Sequence, residues 1–184
     1  MSKFILLDRD GVINRRIPHG YVTSWRDFHF LPGALDALRL LTTEKYKTLV
    51  ISNQPAVGKG LMTLDQLAGI TALFAQAVKN HGGSIDGVYY CPHRLDDGCD
   101  CRKPKPGLLL QARREHKFEF GESYFIGDSE ADELAARRTG CHFVLVVDRV
   151  RESDDLVPDH RITAPNLLEG VRLVLQAESN SCIR

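Results

Sequence analysis

Phe4-Ile5-Leu6-Leu7-Asp8-Arg9-Asp10-Gly11 sets an unbroken apolar run directly before two carboxylates and a glycine. Four apolar residues in succession fit a strand buried on both faces, as in a parallel sheet, better than a half-solvated hairpin. Outward from this point the arrangement repeats. Apolar runs at Leu49 to Ile51, Val88 to Tyr90, Tyr124 to Ile126 and Phe143 to Val147 alternate with helical patterns. The helical stretches are Ala34 to Glu44, Leu64 to Lys79, Gly107 to Glu115, Ala131 to Arg138 and Asn166 to Ala177. Such alternation predicts an α/β fold, a doubly wound, mainly parallel sheet with helices on both faces. Thr63 with Gln66 fits a capping box, and Gly82 and Gly140 suit helix C-termini. Right-handed crossovers bring all strand C-termini to one edge, where open α/β sheets bind ligands, so the chemistry is expected just after the strands.

The chain has 184 residues, enough for one domain with a sizeable core but not for two stable ones. We therefore expect a single domain over residues 1–184, with a tail that frays after about Ala177. The 24 basic and 24 acidic residues cancel, which speaks against a nucleic-acid surface or attraction to anionic lipid. The acidic stretch Glu152 to Asp155 points the same way. The apolar run before Asp8 is too short for a signal peptide and no membrane-spanning stretch follows, so the expected location is the cytoplasm.

Asp8 and Asp10, two apart at a strand exit, leave on one face, and Gly11 lets the chain turn beneath them. One carboxylate can attack phosphorus while the other protonates the leaving oxygen and then activates water. Later segments supply what phosphoryl transfer needs besides a nucleophile. Ser52-Asn53-Gln54 follows the second strand, Arg102-Lys103-Pro104 follows a cluster of cysteines, and Gly127-Asp128 with Asp132 follows the fourth strand. Ser52 can donate a hydrogen bond to a phosphoryl oxygen, Lys103 can place a charge beside the nucleophile, and Arg102 can fork onto a second anion. Asp128 adds a hard ligand for magnesium. Asp132 fits a supporting role beside Asp128 or Lys103, or a place at its helix N-terminus favoured by the dipole.

Five cysteines include three within eleven residues, Cys91, Cys99 and Cys101, with His93 beside the first. In a reducing compartment four such ligands on one loop, 91–103, suit closed, tetrahedral, structural zinc. Arg102 and Lys103 follow Cys101 directly, so the metal would hold them in place.

These segments, taken in order, resemble the four motifs of the haloacid dehalogenase superfamily of phosphohydrolases: Asp8-Arg9-Asp10-Gly11, Ser52, Lys103 and Gly127-Asp128-Ser129-Glu130-Ala131-Asp132. The resemblance implies a Rossmann-like sheet, Asp8 as nucleophile, Asp10 as acid and base, and phosphoryl stabilisation by Ser52 and Lys103. It also implies magnesium held by Asp8, the Asp10 backbone carbonyl and Asp128. Cys91-Pro92-His93 and Cys99-Asp100-Cys101-Arg102-Lys103-Pro104 narrow it to the branch holding heptose bisphosphate and histidinol-phosphate phosphatases, which share a zinc loop. The stretch from Asn14 to Leu31 is too short for a separate cap domain, so the site should be open to small soluble substrates. Within it, His19-Gly20-Tyr21 looks like the substrate loop of the heptose enzymes. The resemblance assigns substrate contacts to His19, Gly20, Tyr21, Asn53, Gln54 and Arg102, and implies the 7-phosphate of a heptose 1,7-bisphosphate, in heptose activation for lipopolysaccharide or another surface glycan.

Departures from the pattern are Val12 for threonine, Pro55-Ala56 for Ser-Gly, and Ser129 where a lysine often stands. Pro55 also removes a backbone donor. Other readings were an ordinary exposed turn at His19 to Tyr21, histidinol phosphate or another small sugar phosphate as substrate, and a receiver-like scaffold without turnover. A scaffold needs no acid/base at position 10. An uncapped domain with no long apolar stripe outside its core fits a monomer. Trp25, Phe28 and Phe30 read as core packing.

Overall fold

The computed structural model describes residues 3–147 and 162–181. The acidic stretch Glu152 to Asp155 therefore lies outside the described residues. Among the described residues six strands form one sheet: β1 (Phe4–Leu7), β2 (Lys47–Asn53), β3 (Gly87–Cys91), β4 (Tyr124–Gly127), β5 (His142–Val146) and β6 (Ile162–Ala164). All neighbouring pairs are parallel, in the order β3-β2-β1-β4-β5-β6. The helices are α1 (Ala34–Thr43), α2 (Leu64–Asn80), α3 (Gly107–His116), α4 (Glu130–Thr139) and α5 (Leu167–Ser181).

All four residues of β1 are buried because both of its faces are covered. Ile5 and Leu7 pack with Leu38 and Leu41 of α1, Phe74 of α2 and Val171 of α5. Phe4 and Leu6, pointing the other way, pack with Leu108 and Leu109 of α3 and Ala135 and Ala136 of α4. The period of two along β1 thus divides the helices into two layers. Phe28 is buried and, with the partly buried Phe30, contacts Phe74, which fits packing, whereas Trp25 stacks on Phe28 but is exposed and so is not a core residue.

The structure extends the sequence reading at several ends. β2 is longer than its apolar run and takes in Ser52 and Asn53, which pair with Tyr90 and Cys91. Likewise Gly127 belongs to β4. Polar residues continue these strands because the ladder uses backbone groups, whatever the side chain. β6 was not foreseen, since three residues make no readable run. Helix α5 passes Ala177 and reaches Ser181. Its last turns are held because Glu178 accepts from Tyr46 Oη (2.6 Å) and pairs with Lys3. The capping box forms as expected: Thr63 N donates to Gln66 Oε1 (2.8 Å), and Gln66 N to Thr63 Oγ1 (3.1 Å). Between β1 and α1 the one short element is the 3₁₀ turn Trp25–Asp27, and the described residues form no cap domain.

Candidate active site

The chain goes from β1 to β2 on one side and comes back to β4 on the other, so the sheet order changes direction beside β1. A crevice opens there, at the strand C-termini. It is a cleft of about 560 Å³, lined among others by Asp8, Asp10, Ser52 and Lys103. Asp8, the first residue after β1, is nearly buried, and its Oδ1 accepts from Lys103 Nζ at 2.9 Å. That ammonium also reaches Ile51 O (2.8 Å) and Asp132 Oδ1 (2.5 Å). Burial works against the Lys103 charge, but Asp8 and Asp132 outweigh it and keep the lysine a cation. For Asp8, burial and the charges of Asp132 and Asp10 raise the pKa against the pull of Lys103. Ser52 Oγ is buried and accepts from Gln54 Nε2 at 3.2 Å, which leaves its own proton to donate.

Asp132 owes its place to α4. Ser129 caps this helix, and Asp132 Oδ2 closes a capping box by accepting from Ser129 Oγ (2.6 Å) and N (3.2 Å). The other oxygen then faces Lys103, in line with the supporting role expected of Asp132. Ser129 thus caps its helix at the position where the resemblance leads one to expect a lysine. Gly127 is required here, since a Cβ on it would lie 2.5 Å from the Cβ of Asp132.

The Asp10 carboxylate turns toward a different set of partners. Its Oδ1 accepts from Asn14 Nδ2 (2.8 Å) and its Oδ2 from Gln54 Nε2 (2.6 Å), and one nitrogen of Arg9, Nη2, reaches both oxygens at 3.0 Å. The carboxylate is thus tied to Asn14, Gln54 and Arg9, and the backbone carbonyl is the Asp10 group that the family resemblance assigns to a metal.

Ligand oxygens of Asp8, Asp128 and Asp132 all lie within 4.8 Å of one another. Burial, with the charge of Asp8 second, pushes Asp128 up to about 7. Three crowded carboxylates against Lys103 and the half-exposed Arg16 leave an excess of negative charge, and hard oxygens suit magnesium. The donor set therefore fits that ion. Arg16, which the sequence reading passed over, already supplies a cation: its Nη2 donates to Asp128 Oδ1 (2.8 Å) and Asp10 O (3.2 Å). These are the two groups that the family resemblance pairs with Asp8 as metal ligands.

Cys91, His93, Cys99 and Cys101 converge as expected. Their S···S separations are 3.2 to 3.6 Å, and His93 Nδ1 lies 3.6 Å from Cys91 Sγ and 3.2 Å from Cys101 Sγ. A tetrahedron with Zn–S near 2.3 Å has edges of ~3.8 Å, so the cage is nearly of zinc size before any ion enters. Burial pushes Cys91 up to about 12, and a cation at its sulfur is what would make it a thiolate. The loop is tied to the residues that follow it: Arg102 Nη1 donates to His93 O (3.3 Å), and Lys105 Nζ to Cys99 O (2.8 Å).

His19, Gly20, Tyr21, Asn53, Gln54 and Arg102 all line the cleft. His19 has φ +55°, and Tyr21 Oη accepts from Lys59 Nζ at 2.7 Å. The two amides have further duties. Asn53 Oδ1 accepts from Lys103 N and its Nδ2 donates to Lys103 O, both at 3.1 Å, which pins the backbone of Lys103. Gln54 is buried against Asp10, Arg9 and Ser52. Sequence reasoning missed Arg9, Asn14, Arg16 and Lys59. No period marks Arg9, which lies past the end of β1, where strand alternation no longer applies, and its guanidinium reaches both Asp10 oxygens.

Comparison with known proteins agrees with this geometry. Residues 100–169 match the family model described as "HAD-hyrolase-like". The D-glycero-beta-D-manno-heptose-1,7-bisphosphate 7-phosphatase of Helicobacter pylori (strain J99) is 42% identical over 135 residues, 73% of this chain and 76% of that protein. The Vibrio cholerae protein of the same name is 36% identical over 175 residues, 91% of each. A crystal structure of D,D-heptose 1,7-bisphosphate phosphatase from B. bronchiseptica, complexed with magnesium and phosphate, superposes with a TM-score of 0.87. It is 31% identical and covers 96% of this chain and 99% of that one. With the motif residues gathered in one cleft on this fold, the chain belongs to the haloacid dehalogenase superfamily of phosphatases.

Proposed function

We propose that the protein removes the 7-phosphate of D-glycero-β-D-manno-heptose 1,7-bisphosphate, with magnesium, through an aspartyl phosphate on Asp8. The observation that carries this reading is the buried Asp8 carboxylate, 2.9 Å from Lys103 Nζ at the floor of the cleft. The β-anomer follows the names of the relatives.

Asp8 attacks phosphorus while the bond to the sugar oxygen breaks, and Asp10 gives that oxygen its proton. Water then attacks the aspartyl phosphate, Asp10 takes the water proton, and the bond between phosphorus and Asp8 breaks to release phosphate. Lys103 and Ser52 hold the equatorial oxygens throughout. When bound by Asp8, the Asp10 carbonyl and Asp128, magnesium neutralises phosphoryl charge as a Lewis acid. Arg102 and the loop His19, Gly20 and Tyr21 contact the rest of the substrate. Zinc on Cys91, His93, Cys99 and Cys101 is structural. The enzyme is a cytoplasmic, single-domain monomer acting on a small soluble sugar phosphate, in nucleotide-activated heptose synthesis for lipopolysaccharide or another surface glycan. No helix among the described residues is long and apolar enough to cross a membrane.

The test is phosphate release, with magnesium, from both anomers of the heptose bisphosphate and from histidinol phosphate. Preference for the β-anomer supports the reading. Preference for histidinol phosphate keeps the chemistry and overturns the substrate, whereas silence on every substrate overturns the enzyme.

A further inference from the structure

Arg9 is a charged side chain with no exposure at all, inside the core beneath the cleft. Its guanidinium carbon lies 5.6 Å from the ring centre of Tyr90 and 5.8 Å from that of Phe28. Nε and Nη1 make no hydrogen bond, and the polar contacts run through Nη2, which donates to both Asp10 oxygens and to Gln54 Oε1, each at 3.0 Å. Burial works against the Arg9 charge, but Asp10 foremost and then Tyr90 more than restore it. For packing alone, an apolar side chain of this size would serve as well or better, because taking an ion pair out of water seldom gains stability. The charge is placed for Asp10.

Gln54 makes the arrangement specific. Its Oε1 accepts from Arg9, so its Nε2 must face Asp10 Oδ2 at 2.6 Å, and the amide cannot flip without setting two donors against each other. Asn14 Nδ2 holds the remaining oxygen at 2.8 Å. All three donors are buried, while the Asp10 side chain is 22% exposed toward the cleft.

We propose that Arg9 and Gln54, with Asn14, are positioning residues that fix the plane of the Asp10 carboxylate so that its exposed edge meets the leaving oxygen. Gln54 on this account acts on turnover through Asp10 and hardly at all on substrate affinity. The inference rests on the proposed role of Asp10 as acid and base. Proton transfer by a placed side chain is worth ~100–10,000-fold, and misplacement forfeits much of it.

The experiment compares Arg9→Met, Arg9→Lys, Gln54→Met and Asp10→Asn on two substrates in single-turnover mode. The heptose bisphosphate expels an alkoxide that needs a proton, and p-nitrophenyl phosphate expels a phenolate that does not. Arg9→Met and Gln54→Met are expected to slow transfer from the sugar phosphate ~30–300-fold, with KM within about threefold and the p-nitrophenolate burst within about threefold. Arg9→Lys recovers part of the loss. Should Arg9→Met fail to fold, Gln54→Met, which buries no new charge, carries the test. Equal slowing of both substrates, or a raised KM at constant kcat, overturns the inference. If Asp10→Asn discriminates between the substrates and the other variants do not, positioning alone falls. If Asp10→Asn does not discriminate, the role of Asp10 falls with it.

Discussion

Gly11→Ala separates a turn-forming glycine from one that makes room for a metal ligand. Gly11 has φ +98°, and a Cβ built on it falls 1.9 Å from Asp128 Oδ2 and 2.7 Å from Asp128 Cγ. That is about 1.5–2 Å inside ordinary contact. The backbone conformation alone costs an alanine ~1–3 kcal/mol. For a chain of this size that lowers the melting temperature by roughly 2–12 °C. The cheaper relief is for the Asp128 carboxylate to swing away, because the Gly11 backbone is tied by Gly11 N donating to Asn14 O (2.7 Å). A displaced ligand should weaken magnesium ~10–100-fold, on the scale of disturbed metal-site neighbours. Titration calorimetry with magnesium, beside thermal melts in EDTA, measures both effects. A lowered melting temperature with unchanged magnesium affinity would refute the claim that Gly11 makes room for Asp128 as a ligand.

Three further outcomes are expected. Cys99→Ser should lose zinc by metal analysis and lower kcat about tenfold or more, because Arg102 and Lys105 are anchored to that loop; zinc loss with intact turnover sinks the clamp. Arg16→Gln should tighten magnesium ~2–5-fold in calorimetry, the worth of an exposed ion pair that no longer competes; weaker binding would make Arg16 a helper of the metal instead. Asp128, ordinarily near 3.8, is held up to about 7 by burial and Asp8. Folding therefore favours its protonated form, a contribution that is complete below about 4 and lost as pH rises through about 7. The magnesium-free protein should melt at falling temperature from pH 5 to 7 and saturating magnesium should remove that slope; a flat profile without metal contradicts the crowding of Asp8, Asp128 and Asp132.

The linear sequence determined whatever depends on order and period. Unbroken apolar runs such as Phe4 to Leu7 fit strands covered on both faces, and their alternation with amphipathic stretches points to a parallel sheet with chemistry at one edge. Ligands close in sequence, such as Cys91 with His93 and Cys99 with Cys101, were legible because two-residue spacing brings side chains together without help from the rest of the fold. Three-dimensional packing decided what joins distant segments. Arg9 carried no signal beyond its place in the motif, yet Phe28, Tyr90 and Gln54 arrive from three separate segments to enclose it. Arg16 meets Asp128 from the far side of the chain, and Asn53 is bound to the backbone of Lys103. Such contacts leave no periodic trace, since each depends on where a crossover returns the chain and on which buried polar group is left needing a partner.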